Sequence, residues 1–176
     1  MPEVDNLIEK HISELSLSLN AAVEAALNDY EDMQNAGRKG ELSHIYMSFL
    51  RSAVLCKQPW MRIDLYDDKD VYDLTECSAK WDVPEISSKL YLDADDKAKK
   101  NDIVEEYRVE QMWFELSEEY CKAFETHAPE IIRHSKVATG LKCQWHYGNY
   151  LGDNTTVYGA TRSGKGIRLR QTWEPG

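Results

Sequence analysis

Cys143 and His146 stand three positions apart in the stretch Lys142-Cys143-Gln144-Trp145-His146. A thiol beside an imidazole can form a nucleophile–base pair, or supply two of the four ligands of a zinc site. Such zinc sites usually gather two tight pairs, and Cys121 and His127, the other Cys–His neighbours, are six residues apart. A nucleophilic cysteine needs exposure and positive surroundings, and Cys143 has two basic neighbours, Lys142 and His146. Against this, Leu141, Cys143 and Trp145 alternate like the inward face of a half-buried strand. The pattern therefore favours a core thiol. His11, His44 and His134 have no chemical constellation near them in the sequence.

Six carboxylates, Asp64, Asp67, Asp68, Asp70, Asp73 and Glu76, crowd one short stretch. Oxygen ligands of this kind hold magnesium or calcium. Their spacing misses the D-x-D-x-D-G pattern of a calcium loop, so the stretch reads as a charged hairpin tip, and no metal site is expected. Gly159-Ala160-Thr161-Arg162-Ser163-Gly164-Lys165 matches the first part of a phosphate-binding loop, but residue 166 is Gly where Ser or Thr would hold magnesium. Only ten residues follow, too few for the crossover helix and parallel strands of that fold, so no nucleotide cofactor is expected. Arg38-Lys39-Gly40 reads as cations placed at a helix C-terminus, where the dipole favours them.

Residues 138–176 hold five basic side chains against two acidic ones, whereas residues 1–137 carry a net charge of −13. This basic segment is also rich in aromatics. Trp, Tyr and Arg supply most of the energy of protein interfaces, and the same mixture can stack single-stranded nucleic acid. With an overall charge of −10, the bulk field opposes nucleic acid and anionic membrane, and a protein partner is favoured. Trp145, Tyr147, Tyr150, Arg168, Arg170 and Trp173 are the expected partner-binding residues.

These residues need a scaffold. Leu7, Ile8, Ile12, Leu15, Leu19, Val23, Ala26 and Tyr30 recur at three and four, which predicts one amphipathic helix over 3–34 capped by Gly37. Residues 60–66 alternate: Trp60, Arg62, Asp64 and Tyr66 on one side, Met61, Ile63 and Leu65 on the other. That is a half-buried strand, with Pro59 just before it. Residues 42–55 satisfy both the helical and the alternating template; a strand is favoured. Val71–Cys77 reads as the third strand of an antiparallel meander, extended by Ala79–Trp81. Asp82, Pro84 and Glu85 mark a helix start with Ile86 and Leu90 on its apolar face. The charged run 93–101 reads as a solvated linker or helix entry. A second long helix is expected from Asp102, with Ile103 on its face, to about Phe124, broken or restarted at Pro129. Gly152-Asp153-Asn154 reads as a hairpin turn, and Ile167, Leu169 and Gln171 as a last strand.

The expected fold is therefore α+β: an antiparallel meander packed against two long amphipathic helices, with a C-terminal β-rich segment. With 176 residues, 42% of them hydrophobic, the chain reads as a single domain over 1–176, an acidic body over 1–137 followed by the basic segment 138–176. Acidic residues early in the chain, the absence of a long apolar run and four unclustered cysteines point to a cytoplasmic protein with reduced thiols, a monomer or homodimer without membrane contact. The expected function is that of a non-catalytic interaction protein: an accessory subunit, inhibitor or immunity-type protein. The alternative is a small cytosolic enzyme with its site around Cys143 and His146 or the acidic hairpin Asp64–Asp73.

Overall fold

The computed structural model describes residues 2–57, 60–101, 105–162 and 167–169. The chain opens with α1 (Pro2–Lys10) and α2 (Ile12–Asn35) in place of one continuous helix. The break falls at His11, whose φ of −107° and ψ of 13° leave the helical well. It has a packing reason: α1 lies on a helix near the C-terminus, while α2 must also lie along the sheet. Gly37, at φ 67°, ends α2 as expected, with Arg38 N–H bonded to Met33 O at 2.9 Å.

The meander is present as β1 (His44–Phe49), β2 (Trp60–Tyr66) and β3 (Ser78–Asp82), each pair antiparallel. The ambiguous run 42–55 divides between its two templates. Ile45 and Met47 alternate on β1, and then α3 (Arg51–Leu55) buries Ala53 and Val54. Val71–Cys77 is not a strand. A short 3-10 turn, Asp70–Tyr72, opens this loop, and β3 begins only at Ser78. The cause is the aspartates, which claim the backbone a strand would use: Asp67 Oδ1 accepts from Lys69 N–H at 3.0 Å and Asp73 Oδ1 from Thr75 N–H at 2.9 Å.

Three helices follow: α4 (Pro84–Lys100), α5 (Glu106–His134) and α6 (Lys136–Gly140). Asp82 does not cap α4; it ends β3 opposite Trp60. The charged run 93–101 belongs to α4 up to Lys100, because Ala94 and Ala98 continue the buried stripe of Ile86 and Leu90 and three lysines suit the last turn. Pro129 does not break α5. Its missing N–H and ring clash cost about 3 kcal/mol, but Ala128, Ile131 and Ile132 around it are all buried. A buried isoleucine alone contributes about 1.5–3 kcal/mol, so packing wins.

The C-terminal segment forms β4 (Gln144–Asn149), β5 (Asn154–Arg162) and β6 (Ile167–Leu169). β4 and β5 make the expected hairpin, with Gly152 at its turn. The strand order is β3-β2-β1-β4-β5, with β6 added to the far end of β5. β4 joins β1 in parallel, from His44↔Gln144 to Phe49↔Asn149, so the sheet is mixed. A bulge interrupts β4–β5 after Trp145. Gly159 lies there at φ 126°, and a Cβ on it would stand 2.4 Å from Cys143 O, so only glycine lets the two strands meet.

The core lies between the sheet and the helices. α2 covers β2 and β3, α5 covers β4 and β5, and α5 also touches α1, α2, α3, α4 and α6. Trp81 sits where these layers meet: its ring is edge-on to Phe124 at 6.0 Å and its indole N–H donates to Ser18 Oγ at 2.9 Å. Pro59, Asp102, Ile103, Ser163, Gly164, Lys165, Arg170, Gln171 and Trp173, which carried expectations above, lie outside the described residues.

Candidate functional site

Strand alternation sends Ile45, Met47, Ile63, Leu65, Trp81 and Trp145 toward the helices. The opposite parity builds the other face of the sheet: His44, Tyr46 and Ser48 on β1, Arg62, Asp64 and Tyr66 on β2, His146 on β4 and Thr156 on β5. This face gathers polar and aromatic side chains in two adjoining clusters.

In the first, His44 Nδ1 lies 3.1 Å from His146 Nε2, a contact between residues a hundred positions apart. Tyr46 stacks on the His146 ring, with centroids 4.3 Å apart, and donates its hydroxyl to Asp70 Oδ1 at 2.9 Å. The Thr156 hydroxyl lies 3.1 Å from His146 Nδ1. Burial, then the neighbouring His44, push the His146 imidazole down to about 4, against the opposing pull of Asp70. Burial and the bond to Asp70 hold the Tyr46 phenol above its ordinary value.

In the second, Arg62 Nε donates to both carboxylate oxygens of Asp64, at 2.8 and 2.9 Å, and its Nη2 reaches Glu76 Oε1 at 2.5 Å. The guanidinium also lies over the Tyr150 ring, 4.9 Å from its centroid. Asp64 is only 3% exposed, and burial raises its carboxyl above the usual range although Arg62 opposes the shift. Between these groups lies a pit of about 310 Å³ whose walls include Tyr46, Tyr66, Tyr150 and Asp64, with Val71 and Leu151 at its rim.

The acidic stretch has mostly internal work. Asp67 accepts from Gly40 N–H at 3.1 Å, and Asp73 binds the Lys39 ammonium. Lys39 is the largest departure from expectation in this region. It does not serve as a solvated charge at the end of α2. It is buried between the rings of Tyr30 and Tyr66, at 5.3 and 5.6 Å, and donates to Leu65 O at 3.0 Å. Among the described residues, no group of three or more His, Cys, Asp and Glu side chains is placed to hold a metal ion.

Two expected partner-binding residues need correction. Trp145 and Tyr147 are 0% and 2% exposed and belong to the core, because their parity on β4 points them at the helices. Tyr150 is on the surface at the second cluster. Arg168 lies on β6 with its backbone opposite Thr161. The Cys143–His146 pair does not form: Cys143 is buried on the helix side, where burial pushes its thiol up to about 12, whereas His146 turns to the open face. Cys121 and His127 do not converge either, since His127 Nε2 lies 3.3 Å from Asp5 Oδ1. The residues missed were His44, Tyr46, Arg62 and Tyr66. Arg62 and Tyr66 occupy the polar parity of the clearly alternating run 60–66, which was the available signal, whereas His44 and Tyr46 fall in the run that fits both templates.

The His146 shift carries a pH prediction. A histidine whose folded value lies below its unfolded one resists protonation in the fold, so its contribution to stability is lost as pH falls from about 6.5 to 4. The stability of the wild type relative to His146→Gln should therefore decline through that window, as read by urea unfolding at a series of pH values. A constant difference would contradict the placement of this ring.

No known protein family, curated protein or solved structure matches this chain. No described helix is long and apolar enough to cross a membrane. The geometry defines the class: an α+β protein with helices on one side of a mixed sheet and a polar, aromatic face on the other.

Proposed function

We propose that this chain is a non-catalytic interaction protein, of the accessory-subunit, inhibitor or immunity type, and that a protein partner docks on the open face of the sheet. The observation that carries this reading is the exposed apolar side chains on the two loops that supply Val71 and Leu151 to the pit. Val71, Tyr72 and Leu74 on the β2–β3 loop are 53%, 83% and 97% exposed, and Leu151 on the β4–β5 turn is 84% exposed. Large apolar side chains gathered outward around tyrosines and an arginine have the composition of an interface centre. Asp70 and Leu151 hold these loops at φ 56° and 55°, conformations costly for residues other than glycine and often kept at functional loops. The acidic charge of the chain favours a protein over nucleic acid or an anionic membrane.

A photo-crosslinking residue placed at Leu74 or Leu151 should yield one adduct of the same mass in cells. The same residue at Leu17 or Leu92, exposed on the helical side, should not. Equal adducts at all four positions, or none at the rim, would overturn the reading.

A second reading, a small cytosolic enzyme, has one observation in its favour. The structure brings His146 and the acidic hairpin together through Tyr46 and Asp70, with His44 facing a cleft of about 510 Å³ beside Lys142 and Asp68. That pair could move a proton. It ranks second because Tyr72, Leu74 and Leu151 have no part in it.

A further inference from the structure

We infer that the pit on the open face binds a cationic side chain, a lysine or arginine presented by the partner; this deepens the interaction reading and rests on it. Three phenol rings and one buried carboxylate form the pit walls. Tyr46, Tyr66 and Tyr150 all line the pit, Tyr46 and Tyr66 meeting edge to face at 5.5 Å. Ring faces attract cations, more strongly where water is excluded. The molecule already shows that preference here, with Arg62 over the Tyr150 ring.

Charge points the same way. Of the nearby carboxylates, Asp64 lines the pit, Asp70 is bonded to the wall residue Tyr46, and Glu76 shares Arg62 with Asp64. Asp70 is held by a neutral phenol, not by a cation. Asp64 takes Arg62 Nε on both oxygens, yet burial still raises its carboxyl, so further positive charge in the pit would stabilise the carboxylate. An anionic group would be repelled, and a neutral apolar one would leave Asp64 without further pairing. A lysine or arginine places its charge among the rings and carboxylates and lays its methylene stem against Val71 and Leu151.

The test uses N-acetyl-arginine amide and N-acetyl-lysine amide as probes, with N-acetyl-citrulline amide as the neutral match, titrated into the full chain and followed by amide and tyrosine-ring NMR shifts. A cationic probe should move resonances of Tyr46, Tyr66 and Tyr150 at least fivefold more strongly than citrulline does, and added salt should weaken the effect. Tyr150→Leu should weaken binding by about fivefold, the size of one cation–π contact, and Tyr150→Phe should keep it. Tyr150 is partly exposed, and an unchanged spectrum for the helices will show that the leucine variant is folded. No shift, equal shifts with citrulline, or shifts remote from the three tyrosines would overturn the inference. Rim cross-links without cation shifts would leave the partner reading standing and remove this one. Cation shifts without rim cross-links would keep the pit's preference for a cation but remove the partner that presents it, and would overturn the inference in that respect.

Discussion

Lys39→Met is expected to destabilise the protein by about 3–5 kcal/mol, a large effect for a loop residue. The substitution leaves Asp73 buried without its cation and withdraws the donor from Leu65 O. Asp73→Leu should cost a similar amount, because it strands the ammonium between Tyr30 and Tyr66. The double variant Lys39→Met/Asp73→Leu should recover most of the loss, since replacing both members of a buried pair by apolar groups is often near neutral. Urea unfolding of the four proteins closes the cycle. Single variants that cost under about 1 kcal/mol, as exposed pairs do, would show that Lys39 is solvated after all.

Trp81→Ala should be equally severe, at about 3–5 kcal/mol, because a fully buried indole at a junction of layers leaves a cavity its surroundings cannot fill. Strand β3 sets its backbone, Phe124 on α5 meets its edge and Ser18 on α2 accepts its N–H. Trp81→Phe retains a ring but loses the hydrogen bond and some volume, and should cost roughly half as much. Thermal and urea unfolding read both. An alanine variant within about 1 kcal/mol of wild type would mean that α2 and α5 do not close on β3 as described.

The α+β architecture was legible because its main signals are periodic. Residues 60–66 alternate without exception, and the helical stripes of α2 and α5 are long. What failed were local rules overridden by packing. Pro129 predicts a break, yet Ile131 and Ile132 hold the helix together. Val71–Cys77 looks like a strand by residue type, yet its aspartates bond their own backbone and turn the apolar side chains outward. The candidate site was the least legible part. Parity could place Tyr46, Arg62 and Tyr66 on one face. It could not reveal that His44 meets His146, because that contact depends on β1 and β4 being neighbours and running in parallel. The aromatic content of the basic segment misled for a related reason: Trp145 and Tyr147 share the inward parity of β4.

That parallel junction also governs how the chain can assemble. The paired residues His44 and Gln144 lie 100 positions apart. Closing a loop of that size costs on the order of 4 kcal/mol of chain entropy before any contact is gained. Sequence-local pairings, β1 with β2 and β4 with β5, carry no such penalty and can form early, so the rate of folding should be set by the encounter of two preformed halves. During synthesis the outer edge of β1, with Ile45 and Met47 on its inward side, has no native neighbour until β4 has left the ribosome. For that interval the nascent chain displays an unpaired strand edge, a template for non-native strand addition. The docking of β4 between β1 and β5, where Gly159 permits the close approach, is thus the step that removes this edge.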